Sequence, residues 1–518
     1  MAEHESEREL ELEREHVRVA VVGSGFGGIG AAVRLRREGI TDFVVLERAD
    51  SVGGTWRDNS YPGCACDVPS HLYSFSFAPN PEWPRTFSGQ PHIRAYLEHV
   101  TDLFGLRPHL RLNTEVELMR WDDEGMRWEI RTSRGTLTAD LVVSATGPLS
   151  EPKTPDIPGL ADFPGKVFHS ARWDHDYDLR GKRVAVVGTG ASAIQIVPEI
   201  QPQVSRLTLF QRTPPWVMPR ADRAIGPLER GLHRALPVTA KARRGLLWGI
   251  RELQVQAFTR FPGELDVVER LARRNMARVI KDPALRARLT PDYRIGCKRI
   301  LLSNTYYPAL ARPTTDVVGA LAEVRGSTLV SADGSEAEAD AIVLGTGFHV
   351  TDMPIAERVV GTDGRTLAES WKGGMAALRG TAAAGFPNWM SIIGPNTGLA
   401  NTSMILMIES QLNYLADYVR RLDLLGGSGR AALDARPAAV DAWNHRVQER
   451  MKRTVWNTGG CTSWYLDANG RNTTVWPGTT TEFRRATRHV DLAEYDVLRA
   501  PAPERGHGGT RRTVEAGA

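Results

Sequence analysis

One plan, written twice, constrains this chain most: an apolar strand, a glycine-rich turn, a helix, and a second strand closed by a charged residue. In the first copy, residues 17–50, the β-branched run Val17 to Val22 enters Gly23-Ser24-Gly25-Phe26-Gly27-Gly28. A helical stretch to about Glu38 follows, and a strand from Phe43 to Leu46 ends at Glu47. In the second, residues 183–213, Val184 to Val187 enters Gly188-Thr189-Gly190-Ala191-Ser192-Ala193, and Leu207 to Phe210 is the second strand. Such a turn gives each glycine a job. The first allows the tight bend, the second lets backbone approach a pyrophosphate, and the third lets helix and strand pack closely. The helix N-terminus then offers free N–H groups and a partial positive charge to phosphate.

The two copies differ where a ribose would be read. Glu47 lies 24 positions after Gly23, and Arg212, followed by Thr213, lies 24 positions after Gly188. A carboxylate suits a free 2′-hydroxyl, whereas arginine suits a 2′-phosphate that a carboxylate would repel. The expected fold is therefore α/β, with two Rossmann-like dinucleotide-binding domains, the first for FAD and the second for NADPH. Candidate FAD contacts are Gly23, Gly25, Gly28 and Glu47; candidate NADPH contacts are Gly188, Thr189, Gly190, Ser192, Arg212 and Thr213. The run Gly53-Gly54-Thr55-Trp56 adds a glycine pair suited to the flavin's pyrophosphate arm. Two strands ending in Thr-Gly, at Thr146-Gly147 and Thr346-Gly347, suit a chain passing beside a cofactor.

Between the copies, five prolines from Pro148 to Pro164 read as an interdomain connection, because proline removes backbone donors and disfavours helix before it. The expected organisation is a charged tail over residues 1–16, a first FAD segment over 17–150 and an NADP domain over 151–340. The NADP domain carries an arginine- and leucine-rich helical insert near 221–290, with a solvated outer face. A returning FAD segment over 341–500 begins with the strand Ala341 to Leu344, and a disordered tail covers 501–518. The balance of 65 basic and 61 acidic residues, net +4, does not suggest a nucleic-acid partner. No apolar run approaches the roughly 20 residues a bilayer span needs, and glutamates at every odd position from Glu3 to Glu15 are unlike a signal peptide. Four cysteines, two of them in the C-x-C of Cys64 and Cys66, form neither a disulfide framework nor a zinc set; free thiols in a reducing cytoplasm are expected, with no metal.

More specific is the segment Phe163-Pro-Gly-Lys-Val-Phe-His-Ser-Ala-Arg-Trp-Asp174. It resembles the Baeyer–Villiger monooxygenase fingerprint F-x-G-x-x-x-H-x-x-x-W-[PD] at Phe163, Gly165, His169, Trp173 and Asp174. The resemblance runs from about residue 17 to about 490. It implies that this segment is an interdomain linker rather than the chemical centre. Tyr61-Pro-Gly-Cys-Ala-Cys-Asp67 is similar to the family's Y-P-G-x-x-C-D segment, which implies that Asp67 lies near the flavin. By the same resemblance Tyr73 and Val116 line the FAD, Lys298-Arg299 carries the active-site arginine, and Trp464 is a mobile-loop residue contacting the nicotinamide coenzyme.

The implied reaction is reduction of FAD by NADPH, formation of a flavin C4a-peroxide with O2, and oxygen insertion beside a ketone carbonyl to give an ester or lactone. Anionic stages need a fixed cation, and arginine stays protonated at any working pH. Arg299 is the expected catalytic residue, with Asp67 orienting it through a bidentate contact. Two other enzyme readings stand beside this one. A nitrogen- or sulfur-oxygenating flavin monooxygenase shares both cofactors, and a pyridine-nucleotide disulfide reductase would need a redox dithiol that Cys64 and Cys66 do not space correctly. A flavin-carrying binding protein would be expected to lack Arg299 and Asp67.

Overall fold

In a computed structural model, residues 15–426 and 430–499 are described. The first strand, β1 (Glu15–Val22), is buried on both faces from Val19 onward, as a continuous apolar run in a parallel sheet should be. It begins two residues earlier than the sequence suggests: Glu15 and His16 pair with Leu137 and Thr138. The rest of the expected N-terminal tail, and the C-terminal one, lie outside the described residues. Helix α1 (Phe26–Arg37) follows, then β2 (Phe43–Leu46), parallel to β1.

Six further strands complete the first sheet. They are β3 (Leu110–Arg111), β4 (Val116–Asp122), β5 (Arg127–Thr132), β6 (Gly135–Ser144), β17 (Val359–Val360) and β18 (Trp389–Ser391), in the order β17-β4-β5-β6-β1-β2-β3 with β18 beside β6. The second sheet runs β12-β9-β8-β16-β7, from β7 (Lys166–His169), β8 (Arg183–Val187), β9 (Arg206–Phe210), β12 (Thr315–Val318) and β16 (Ala341–Leu344). All its pairings are parallel. Smaller ladders are β10 (Val217–Met218) with β11 (Leu301–Leu302), and the antiparallel β13–β15 over 321–325, 328–331 and 336–338.

Ala341 to Leu344 therefore belongs to the second sheet, not to the returning first domain. All four residues are buried and fill the slot between β8 and β7. The return comes just after it, where Lys153 N–H donates to Gly347 O (2.9 Å) and His349 N–H to Glu151 O (3.0 Å). Two chain crossings thus run side by side, and β17 and β18 rejoin the first sheet.

The insert consists of α3 (Pro227–Ala235), α4 (Pro237–Thr259), α5 (Leu265–Val279) and α6 (Pro283–Arg288), after α2 (Ala191–Ile200) of the second unit. It exposes Leu228, Val238, Leu246 and Leu253, so its outer face is more apolar than the solvated one expected. Helix α7 (Met404–Gly426) packs on α1, and Gly30 permits the approach: a Cβ there would lie 2.8 Å from Leu412 Cδ1. No helix among the described residues is long and apolar enough to cross a membrane. Nor do the described residues hold a group of three or more His, Cys, Asp or Glu suited to a metal.

One expectation about the cysteines is overturned. Cys64 and Cys66 are free and buried, but Cys297 and Cys461 form a disulfide. The fold brings these residues, 164 apart in sequence, to a Cα separation of 6.1 Å, within disulfide range.

Candidate active site

The first glycine turn is tightly enclosed. Gly23 has φ +98°, and a Cβ on it would meet Ala145 O at 2.7 Å; one on Gly28 would stand 1.7 Å from Gly23 O. Glu47, 5% exposed, accepts from Ser24 N–H (3.0 Å), Ser24 Oγ–H (2.6 Å) and Ala49 N–H (3.0 Å), and pairs with Arg57 at 3.0 Å. The Gly53-Gly54 run closes over this turn: Gly53 N–H donates to Ser24 O (3.0 Å), and a Cβ on Gly54 would lie 2.9 Å from Gly25 Cα. Thr55 is exposed, while Trp56 is buried and its Nε1–H donates to the Tyr73 hydroxyl (3.1 Å). Val116 lies at the start of β4, with its side chain in the cluster on the sheet's other apolar layer.

The second turn is as tight at its first glycine, where a Cβ on Gly188 (φ +111°) would meet Gly345 O at 2.4 Å, but opens at its second. Gly190 is exposed, and a Cβ there would meet nothing within 4 Å. Thr189 Oγ1–H donates to Thr213 O (2.7 Å), tying the turn to the loop that carries exposed Arg212. Lys298 lies over the Tyr293 ring at 5.0 Å; burial, and then the Arg212 charge, lower its pKa. Arg212 and Lys298 are thus near enough for their charges to act on one another. Ser192 is half-buried in the first turn of α2.

Both α1 and α2 begin at a glycine, with no side-chain cap and no acid in the first turn. Their leading N–H groups remain available to phosphate. The residues fit the two nucleotides: a buried carboxylate beside the first turn, where a ribose hydroxyl would have to displace one of its four present donors, and an exposed second glycine with Arg212 nearby at the other.

Between the units, Arg299 meets Asp67. Arg299 Nε–H and Nη2–H donate to the two carboxylate oxygens at 2.6 and 2.7 Å, and Nη1–H donates to Leu399 O at 3.0 Å. Three of the five guanidinium N–H groups are used, and the remaining ones are left for a ligand. The side chains stay 23% and 24% exposed, so a ligand can reach them. Burial opposes both charges, but their mutual attraction and hydrogen bonds prevail. Asp67 is held below the ordinary carboxylate pKa and Arg299 above the ordinary arginine one. The β10–β11 ladder aligns the arginine segment, and Cys66 N–H, donating to Ser88 O (3.0 Å), fixes the residue before Asp67. Trp464 is 46% exposed, and its ring is tilted 59° against that of Tyr465 at a centroid distance of 4.5 Å.

Residues 20–228 match a family model described as pyridine nucleotide-disulphide oxidoreductase. A Baeyer–Villiger monooxygenase of Streptomyces coelicolor is 81% identical over 97% of this chain and 95% of its own. One from Pseudomonas aeruginosa is 50% identical over 93% and 91%. The chain belongs to the Baeyer–Villiger monooxygenases. Its backbone also superposes on a cyclohexanone monooxygenase from Rhodococcus sp. Phi1 bound to NADP+, with TM-score 0.81, 29% identity, and 92% and 97% of the two chains covered.

Several residues packed against these candidates give little or no signal in the sequence. Arg57, partner of Glu47, follows Trp56 directly, and a basic residue beside a glycine pair was the available signal. Gln195 gives none: its amide accepts from Tyr61 O–H (3.1 Å) and Ala65 N–H (3.3 Å) and donates to Ala65 O (3.0 Å), clamping the Asp67 segment to α2. Arg220 Nη2–H donates to Cys66 O (3.1 Å), bringing a second guanidinium to the same segment. His169 is buried with Nδ1 accepting from Ala171 N–H, and burial lowers its pKa to about 4, which suits a structural linker.

Proposed function

We propose that the chain is an FAD- and NADPH-dependent Baeyer–Villiger monooxygenase with the Arg299–Asp67 pair at its chemical centre. The bidentate contact, with guanidinium N–H groups left over, carries this reading. When bound, the flavin takes a hydride from NADPH and supplies one oxygen atom of O2 to a ketone, giving an ester or lactone. Gly23, Gly25, Gly28, Glu47, Gly54, Thr55, Trp56, Tyr73 and Val116 would surround FAD. Gly188, Thr189, Gly190, Ser192, Arg212, Thr213 and Lys298 would hold NADPH, and Trp464 would reach it from its loop.

Arg299 places a permanent positive charge where the carbonyl oxygen becomes negative. Such a fixed donor does not have to reorganise as charge develops, which makes it worth more than water at the same place. Asp67 holds the guanidinium plane and, being ionised, does not release its grip across working pH. The test is to incubate the yellow protein with NADPH, 18O2 and a panel of linear, cyclic, aromatic and steroidal ketones, and to weigh the products. Esters heavier by one labelled oxygen are expected. Consumption of NADPH without ester, but with N-oxide or sulfoxide from amine or sulfide controls, would overturn the reading.

A further inference from the structure

We propose that the Tyr465 hydroxyl is a second hydrogen-bond donor to the ketone carbonyl, beside Arg299. The inference rests on the function proposed above and adds a catalytic residue to it. Tyr465 is 1% exposed, and its hydroxyl is a buried polar atom without a hydrogen-bond partner. A buried hydroxyl normally finds a partner in the protein, an ordered water or a ligand.

Its position indicates which ligand. The ring packs in one apolar cluster with Cys297 and Ala400. Cys297 is two residues before Arg299, and Ala400 follows Leu399, whose carbonyl holds Arg299 Nη1. The Cys297–Cys461 disulfide ties the Tyr465 segment to the arginine segment. The hydroxyl is also close enough to feel the charges of Arg299 and Asp67. Two more buried oxygens without a partner, Asn401 Oδ1 and Thr402 Oγ1, follow Ala400 directly. Three partnerless buried oxygens, on Asn401, Thr402 and Tyr465, thus lie on the two segments tied to Arg299 through Leu399 and through the disulfide.

Burial raises the phenol's pKa, so the group keeps its proton and can only donate or accept as a neutral hydroxyl. A carbonyl oxygen that gains negative charge is the acceptor that strengthens both this donor and Arg299 together.

The test compares Tyr465→Phe with wild type as flavin-loaded enzymes, using cyclohexanone and 2-octanone as probes. Because the hydroxyl has no protein partner, Tm should not fall. The kcat/KM for ketone should drop about tenfold, the size of one lost hydrogen bond to a charged acceptor. The NADPH KM and the rate of flavin reduction should hold, and a larger share of NADPH should end as hydrogen peroxide. An unchanged kcat/KM would overturn the proposal. So would a loss confined to NADPH KM or flavin reduction, which would make Tyr465 a coenzyme contact, or a fall in Tm, which would make it structural. Absence of ester from wild type with every ketone would instead overturn the proposed function.

Discussion

The two glycine turns share a plan and differ in what surrounds them. Around Gly23 the chain is packed on itself: a Cβ on Gly28 would collide with a backbone carbonyl, and Glu47 is buried among four donors. Gly188 is equally pressed on backbone, a Cβ there meeting Gly345 O at 2.4 Å, but beyond it the second turn opens outward. Ala193 stands where the first copy has Gly28 and is fully buried without conflict, while Gly190 and Arg212 face solvent. Close strand–helix contact thus demands glycine in one copy and tolerates alanine in the other. The enclosed turn suits a cofactor that stays, and the open one suits a coenzyme that binds and leaves with each turnover.

Substituting the glycines would break this contrast most sharply. Gly28→Ala should cost on the order of 4 kcal/mol or more, because a backbone clash at 1.7 Å has no side chain to give way. The measurement is Tm together with flavin absorbance per protein, and both should collapse. Gly190→Ala, with nothing within 4 Å of the new methyl, should leave both nearly unchanged. Equal damage from the two substitutions would mean that the turns are not differently enclosed.

A smaller effect sharpens the ribose assignment. Arg212→Ala should raise the NADPH KM about tenfold to a hundredfold, the worth of a hydrogen-bonded charge, and leave NADH nearly untouched. Steady-state kinetics with each coenzyme decides it, since equal losses would remove the 2′-phosphate from the second site.

The smallest effect concerns the thiols beside Asp67. Burial pushes Cys64 up to about 12, so it is not a thiolate at working pH. Cys64→Ala/Cys66→Ala should therefore keep wild-type flavin reduction by NADPH. Loss of that reduction with FAD still bound would favour disulfide-reductase chemistry.

The contrast between Glu47 and Arg212 was legible in the sequence because each lies a fixed distance after its own turn, within one contiguous unit. Asp67 and Arg299 were legible only through family segments, although their contact spans 232 positions. What stayed hidden depends on long-range geometry. The buried run Ala341 to Leu344 reads the same in either sheet, and only its pairing with β7 and β8 assigns it. Nothing near Cys297 marks Cys461 as its partner, nothing near Gln195 marks Ala65, and a hydroxyl's lack of a partner, as at Tyr465, is visible only once the fold surrounds it.

Stopped-flow absorbance of Arg299→Ala tests most directly whether Arg299 serves oxygen transfer rather than hydride transfer. The variant should keep its FAD and be reduced by NADPH. Ester formation should then fall by at least about 10²–10³-fold, as for loss of one preorganised donor, while reoxidation releases hydrogen peroxide. Ester formation at the wild-type rate would contradict the account and place the stabilising charge elsewhere.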